Sequence, residues 1–169
     1  AFYRWIGDVD AAVATNATSG AASNAPKGTL QGILDAYSLR GGDVVYVDTG
    51  NYLGLSTTLS GFDSGTAGAP VRILGSPKGS TLDRGGSGSA DVLDLTGASN
   101  LEIENLRLTG GRYGLNGGTA NITLRNLRFT GNQYGAYVTG MGHVFENCLA
   151  ADNTLRAFSG SGNGFNQWR

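Results

Sequence analysis

Three consecutive segments of 21 residues decide the fold. They read VLDLTGASNLEIENLRLTGGR (residues 92–112), YGLNGGTANITLRNLRFTGNQ (residues 113–133) and YGAYVTGMGHVFENCLAADNT (residues 134–154). A fourth copy begins at Leu155 and runs to Arg169. Self-similarity at a fixed period of this size indicates a solenoid, in which each repeat contacts its neighbours. Because the unit is too short for a pair of helices, we expect each repeat to be one coil of strands.

Apolar and polar residues alternate within the repeats, which is the pattern of a half-buried strand. The alternation shifts by one residue just after Ile103 and Leu124, which predicts a corner there. The apolar side chains expected to point inward are Leu101, Ile103, Leu106 and Leu108 in the first repeat, and Ile122, Leu124, Leu127 and Phe129 in the second.

The predicted corner carries Asn105, Asn126 and Asn147, one repeat apart. Asparagine tolerates left-handed backbone angles, and its amide bonds to neighbouring groups. We therefore expect the three amides to form a hydrogen-bonded column along the solenoid.

The corners Glu-Asn-Leu, Arg-Asn-Leu and Glu-Asn-Cys, with the repeat ends Thr-Gly-Gly, Thr-Gly-Asn and Ala-Asp-Asn, resemble those of the right-handed parallel β-helix proteins of the pectin-lyase-like class. The resemblance covers the chain from about Gly28 onward. It implies an all-β fold, a right-handed parallel β-helix, and a secreted or cell-surface bacterial protein. The class includes lyases, hydrolases, epimerases, adhesins and binding modules, so the fold alone does not specify an activity.

One helix is predicted before the repeats, because apolar residues there follow helical spacing: Leu30, Ile33, Leu34 and Tyr37. Thr29 suits the N-cap, and glycines end the segment. We expect this capping helix (residues 29–42) to cover the N-terminal end of the β-helix, where strand edges would otherwise be open. Residues 1–28 are predicted to form a strand and an irregular loop. Residues 43–169 are predicted to form the β-helix with an incomplete last coil, as part of a longer protein.

Composition argues against two classes of partner. The formal net charge is −1 and charged residues are 15% of the chain, so bulk charge attracts neither nucleic acid nor a membrane surface. No apolar run approaches the length of a membrane span. We therefore expect no nucleic-acid and no membrane partner.

Arginines form the first candidate ligand site. Arg107 and Arg128 occupy equivalent outward positions one coil apart, and Arg112 ends the first repeat. Guanidinium groups bind carboxylates and sulfates through paired hydrogen bonds, which suits an acidic polysaccharide. The alternative is that the two arginines splay apart in solvent without a ligand.

Tyrosines form the second candidate ligand site. Tyr113 and Tyr134 are one coil apart, and Tyr137 lies nearby. Their rings could lie against the apolar faces of sugar rings. The alternative is that Tyr113 and Tyr134 stack on each other, partly buried.

Two weaker sites complete the candidates. His143, the single histidine, aligns with Ile122 and is predicted to point inward; an outward orientation would make it a ligand-binding or acid–base residue. Asp83, Asp91 and Asp94 lie at predicted turns and form a candidate calcium site. No cofactor is otherwise required.

The resemblance implies that a lyase of this class would use acidic calcium ligands and a basic residue, and a hydrolase close aspartates on adjacent coils. The only lysines, Lys27 and Lys78, lie outside the regular repeats, and no aspartate pair is equivalently placed on consecutive repeats. We therefore expect a non-catalytic, polysaccharide-contacting module of a secreted multimodular bacterial protein. The alternatives are a fragment of a polysaccharide lyase, epimerase or hydrolase, and a structural or adhesive spacer that self-associates, or carries further coils, at its C-terminal end.

Overall fold

The computed structural model describes residues 3–6, 26–54, 56–86, 88–161 and 167–168, and these residues build three parallel sheets. Sheet 1 contains β1 (Tyr3–Ile6), β2 (Val44–Val47), β5 (Val71–Gly75), β8 (Ser99–Glu104), β11 (Ala120–Arg125), β14 (Val144–Glu146) and β17 (Gln167–Trp168). Sheet 2 contains β3 (Gly50–Leu53), β6 (Ser80–Asp83), β9 (Leu106–Thr109), β12 (Arg128–Thr130) and β15 (Leu149–Ala151). Sheet 3 contains β4 (Thr57–Thr58), β7 (Leu93–Leu95), β10 (Tyr113–Gly117), β13 (Tyr134–Thr139) and β16 (Arg156–Ser161).

The chain passes through sheets 1, 2 and 3 in turn and then starts the next coil. Each strand pairs in parallel with the equivalent strand of the neighbouring coil, as β9 does with β12 and β10 with β13. In the regular coils, partners lie one repeat apart, so that Leu101 faces Ile122. This arrangement confirms the prediction of an all-β parallel β-helix.

The core fills the space between the three sheets. All eight apolar residues predicted to point inward from the first two repeats are buried, and Phe129 is completely inaccessible. Outward neighbours such as Arg107 and Arg128 are exposed. The two-residue alternation therefore predicted correctly which face of each strand is covered.

The corner between sheets 1 and 2 is a single left-handed asparagine in each regular coil. Asn105, Asn126 and Asn147, the asparagine corner, have φ of 58°, 53° and 52°. The Asn126 side-chain amide donates to Asn105 Oδ1 at 3.1 Å, and that of Asn147 donates to Asn126 Oδ1 at 2.7 Å. One residue at this angle turns the chain sharply enough to change sheets without a loop.

A second asparagine column, which the sequence interpretation did not identify, lies where the strands of sheet 1 begin. Asn100 and Asn121 also have positive φ, of 53° and 54°, and the Asn121 amide donates to Asn100 Oδ1 at 3.1 Å. The signal was present in the sequence, because both residues lie one repeat apart and directly before an inward apolar residue.

Helix α1 (Leu30–Ala36) is shorter than the predicted residues 29–42. Thr29 is the N-cap, as predicted, and accepts a hydrogen bond from the Gly32 N–H at 3.0 Å. Tyr37 is extended, and the Leu39 N–H bonds to Asp63, the last residue of a short 3₁₀ helix (Gly61–Asp63), at 3.3 Å. The helix contacts β1 and β4 at the N-terminal end and buries Leu30 and Ile33 in the core.

Two predictions concern residues outside those described. The irregular loop is predicted for residues 7–27, of which only 26 and 27 are described. The open C-terminal end is predicted within residues 162–169, of which only strand β17 is described. The described part of the chain contains no helix with the length and hydrophobicity needed to cross a bilayer.

Candidate functional site

The predicted tyrosine column lies on the outer face of sheet 3. Tyr113 and Tyr134 are register partners on β10 and β13. Their rings stack with centroids 4.6 Å apart and planes 17° apart, and the Tyr137 ring lies 5.8 Å from that of Tyr113. All three are half-buried. The structure therefore contains the mutual stack that the sequence left as an alternative, with a third ring beside it.

Polar groups surround these rings in a fixed arrangement. The Arg112 guanidinium lies over the Tyr113 ring, 4.9 Å from its centroid. Asp91, only 8% exposed, accepts a hydrogen bond from the Asn116 amide at 2.8 Å and lies 3.3 Å from Arg112 Nε. Asp91 thus holds both polar side chains beside the rings. We call these residues, with Tyr113, Tyr134 and Tyr137, the tyrosine surface.

Asp91 is also one of the three aspartates of the predicted calcium site. Its carboxylate is occupied by Arg112 and Asn116, whereas Asp83 accepts from the Gly85 N–H and Asp94 from the backbone and hydroxyl of Thr96. Among the described residues, no group of three or more His, Cys, Asp or Glu side chains is placed to hold a metal ion. The three aspartates are therefore not brought together.

His143 is completely buried, which confirms its predicted inward orientation and removes it from the candidate ligand-binding residues. Val144 pairs with Thr123, so His143 lies beside Ile122. Its Nδ1 accepts from the Ile122 N–H at 3.4 Å, and its Nε2 lies 2.8 Å from the Thr139 carbonyl oxygen. Burial lowers the pKa of His143, against an opposing contribution from the Thr139 hydrogen bond. The histidine is a core residue whose two ring nitrogens bond to backbone groups.

The predicted arginine column lies on the outer face of sheet 2. Arg107 and Arg128 are register partners, and both are exposed. They line an open groove of about 420 Å³, which we call the arginine groove. Its lining residues are Ser76, Pro77, Gly79, Ser80, Thr81, Asn105, Leu106, Arg107, Asn126, Arg128 and Asn147. Arg112, predicted to widen this patch, instead belongs to the tyrosine surface on sheet 3.

The outer face of sheet 1 carries an ion-pair network rather than a site. Arg125 bonds to Glu102, Glu104 and Glu146, and Arg72 Nε lies 2.7 Å from Glu102. Glu104, Arg125 and Glu146 lie one repeat apart in the sequence, whereas Arg72 and Glu102 are register partners at a longer spacing. They belong to coils of different length, so no 21-residue spacing could have linked them.

Comparisons with known proteins agree with this architecture. No protein-family model matches the chain, and no curated protein matches its sequence significantly. The solved structure of the GH136 lacto-N-biosidase from Eubacterium ramulus has a TM-score of 0.71 over 87% of this chain, at 18% identity. Pectate lyase Pel9A has a TM-score of 0.64 over 92%, at 19% identity. A rhamnogalacturonan lyase has a TM-score of 0.52 over 97%, at 14% identity.

This chain spans only part of each of those proteins: 34% of the lacto-N-biosidase, 50% of the pectate lyase and 63% of the rhamnogalacturonan lyase. At these identities the similarity is evidence of a common fold and not of a common activity. The chain has the right-handed parallel β-helix fold.

Proposed function

We propose that the chain is a carbohydrate-interacting β-helix module of a secreted, multimodular bacterial protein, and that it contacts polysaccharide without cleaving it. The observation that carries this proposal is the tyrosine surface, in which the stacked rings of Tyr113 and Tyr134, with the Tyr137 ring beside them, lie on the outer face of a sheet. Aromatic rings offer apolar contact area together with a polar hydroxyl, which suits the two kinds of surface on a pyranose ring.

The rigidity of the surroundings supports binding. Asp91 holds the Asn116 amide at 2.8 Å, and the Tyr137 hydroxyl lies 3.0 Å from Ser161 Oγ. Side chains that are already ordered lose less conformational entropy when a ligand arrives, so more of the contact energy appears as affinity. The non-catalytic part of the proposal rests on the sequence, in which no catalytic set of the class could be matched.

The test is binding to an array of plant, algal and animal polysaccharides, followed by calorimetry with the best polymer. We expect Tyr134→Ala to weaken binding about tenfold, equal to about 1.4 kcal/mol. Tyr46→Ala, which removes a half-buried tyrosine from sheet 1, is the matched control and should leave binding unchanged. The proposal fails if no polymer binds, or if both variants lose affinity equally.

A second candidate is catalysis on a polysaccharide. The observation that favours it is that the solved structures sharing this fold are named as a lacto-N-biosidase, a pectate lyase and a rhamnogalacturonan lyase. Incubation with the polymers that bind, followed by assays for unsaturated uronates and new reducing ends, distinguishes the two. Sustained product formation would replace the non-catalytic proposal.

A further inference from the structure

The outward arginines of sheets 1 and 2 differ in their partners. Arg72 and Arg125, on sheet 1, lie within the glutamate network described above. Within the described part of the chain, neither Arg107 nor Arg128 pairs with a carboxylate; Arg107 Nε donates to Thr130 Oγ1 at 2.8 Å. Among the described side chains, the arginines of sheet 1 are therefore paired with glutamates, whereas Arg107 and Arg128 on sheet 2 lack a counter-charge.

Arg107 and Arg128 are also direct neighbours, so their lack of an acidic partner among the described residues leaves two positive charges side by side. They are direct partners on β9 and β12, and adjacent strands lie about 4.8 Å apart. Like charges directly opposite each other destabilise a strand pair, so the pairing is not explained by sheet stability. An anion bound between the two guanidinium groups would remove the repulsion and accept their parallel N–H groups.

The arginine groove also offers neutral hydrogen-bonding groups. Thr81 is the register partner of Arg107 on the preceding coil, which continues the polar column. Ser76 also lines the groove, as do Asn126 and Asn147 of the asparagine corner. Hydroxyl and amide groups around two cations are suited to a ligand that carries sugar hydroxyls as well as negative charge.

We infer that the arginine groove binds the anionic groups of a glycan, carboxylate or sulfate ester, with Arg107 and Arg128 as its ligands. The inference deepens the proposed function and rests on it for the polysaccharide. The groove lies on sheet 2, whereas the tyrosine surface lies on sheet 3, so the two surfaces can be tested separately.

The experiment follows the arginine Nε–H signals by two-dimensional NMR in isotope-labelled protein. The probes are glucuronate, a glucose sulfate and neutral methyl glucoside, each added at constant ionic strength. We expect saturable shifts at Arg107 and Arg128 with one or both anionic sugars and none with methyl glucoside. Response to one anion alone identifies whether the groove prefers carboxylate or sulfate.

Two variants provide the controls. Arg128→Gln removes one ligand from an exposed position and should weaken the affinity sensed at Arg107 about tenfold, equal to about 1.4 kcal/mol. Arg40→Gln removes the same charge from an exposed residue outside the groove lining and should leave that affinity unchanged. Thermal unfolding of both variants verifies that they remain folded.

The inference is overturned if Arg107 and Arg128 shift no more than Arg40, or if methyl glucoside shifts them equally. If the arginine Nε–H signals shift but no polysaccharide on the array binds, the anion site is supported and the proposed function is refuted. Polysaccharide binding that depends on Tyr134, without arginine shifts, would retain the proposed function and refute the anion site.

Discussion

Substitutions at Asn126 test why the corner between sheets 1 and 2 consists of asparagine. Asn126 has φ of 53°, donates to Asn105 and accepts from Asn147. Asn126→Ala removes both hydrogen bonds and requires an alanine to keep a left-handed backbone. Asn126→Gly removes the same two bonds, but glycine adopts this backbone without steric cost.

The expected magnitudes follow from these two terms. Both hydrogen bonds are solvent-exposed, so their combined loss should cost about 1 kcal/mol, at the low end of the usual range. The left-handed backbone adds about 1–2 kcal/mol for alanine. Glycine avoids that strain but adds about 0.5–1 kcal/mol through the entropy of the unfolded chain. Asn126→Ala should therefore destabilise by about 2–3 kcal/mol, and Asn126→Gly by about 0.5–1 kcal/mol less.

Urea denaturation followed by circular dichroism measures both variants against the wild type. Asn51→Ala is the matched control, because Asn51 is exposed on β3 and is not among the residues with positive φ. It should change the free energy of unfolding by no more than about 0.5 kcal/mol. If alanine at position 126 costs no more than glycine, the strain argument is refuted; if neither exceeds the control, the amide column does not contribute to stability.

Two further predictions concern the core. Phe129→Ala should lower the free energy of unfolding by about 3–5 kcal/mol, because the Phe129 side chain is completely buried. Phe129→Leu should lower it by less, since Leu108 fills the equivalent position one coil earlier. Urea denaturation measures both variants, and equal losses would contradict this packing. Burial lowers the pKa of His143 below its ordinary 6.5, so between these two pKa values the unfolded chain binds more protons than the folded chain. The contribution of His143 to the free energy of unfolding should be fully present above pH 6.5 and should decrease as the pH falls from 6.5 to the pKa of the folded state. His143→Leu should remove that part of the pH dependence. If the urea midpoint of the variant varies with pH as steeply as that of the wild type, His143 is not its cause.

The regular coils could be predicted in detail because one local pattern repeats at a constant spacing. Ile122 and Leu101 lie one repeat apart in the sequence and are register partners in the sheet. A shift of one residue would turn every apolar side chain outward, so the hydrophobic pattern permits a single register. The same argument placed His143 in the core and the tyrosines beside each other.

The earlier coils could not be predicted at this level. Val44 pairs with Arg72 and Val71 with Leu101, so these coils are longer than the repeat and differ from each other. Their extra residues form turns whose lengths follow no common pattern. The contact between Arg72 and Glu102 depends on those turns, and no local rule links the two residues.

The sequence by itself determined the period, the inward face of each regular strand and the asparagine corners, because these follow from hydrophobic alternation and from the backbone preference of one residue type. Only the tertiary structure decided which outward side chains meet. Asp91 holds Arg112 and Asn116, whereas Arg107 and Arg128 face solvent without an acidic partner among the described residues. The physical reason is that side-chain partners across coils depend on turn lengths and rotamers, which hydrophobic alternation does not constrain.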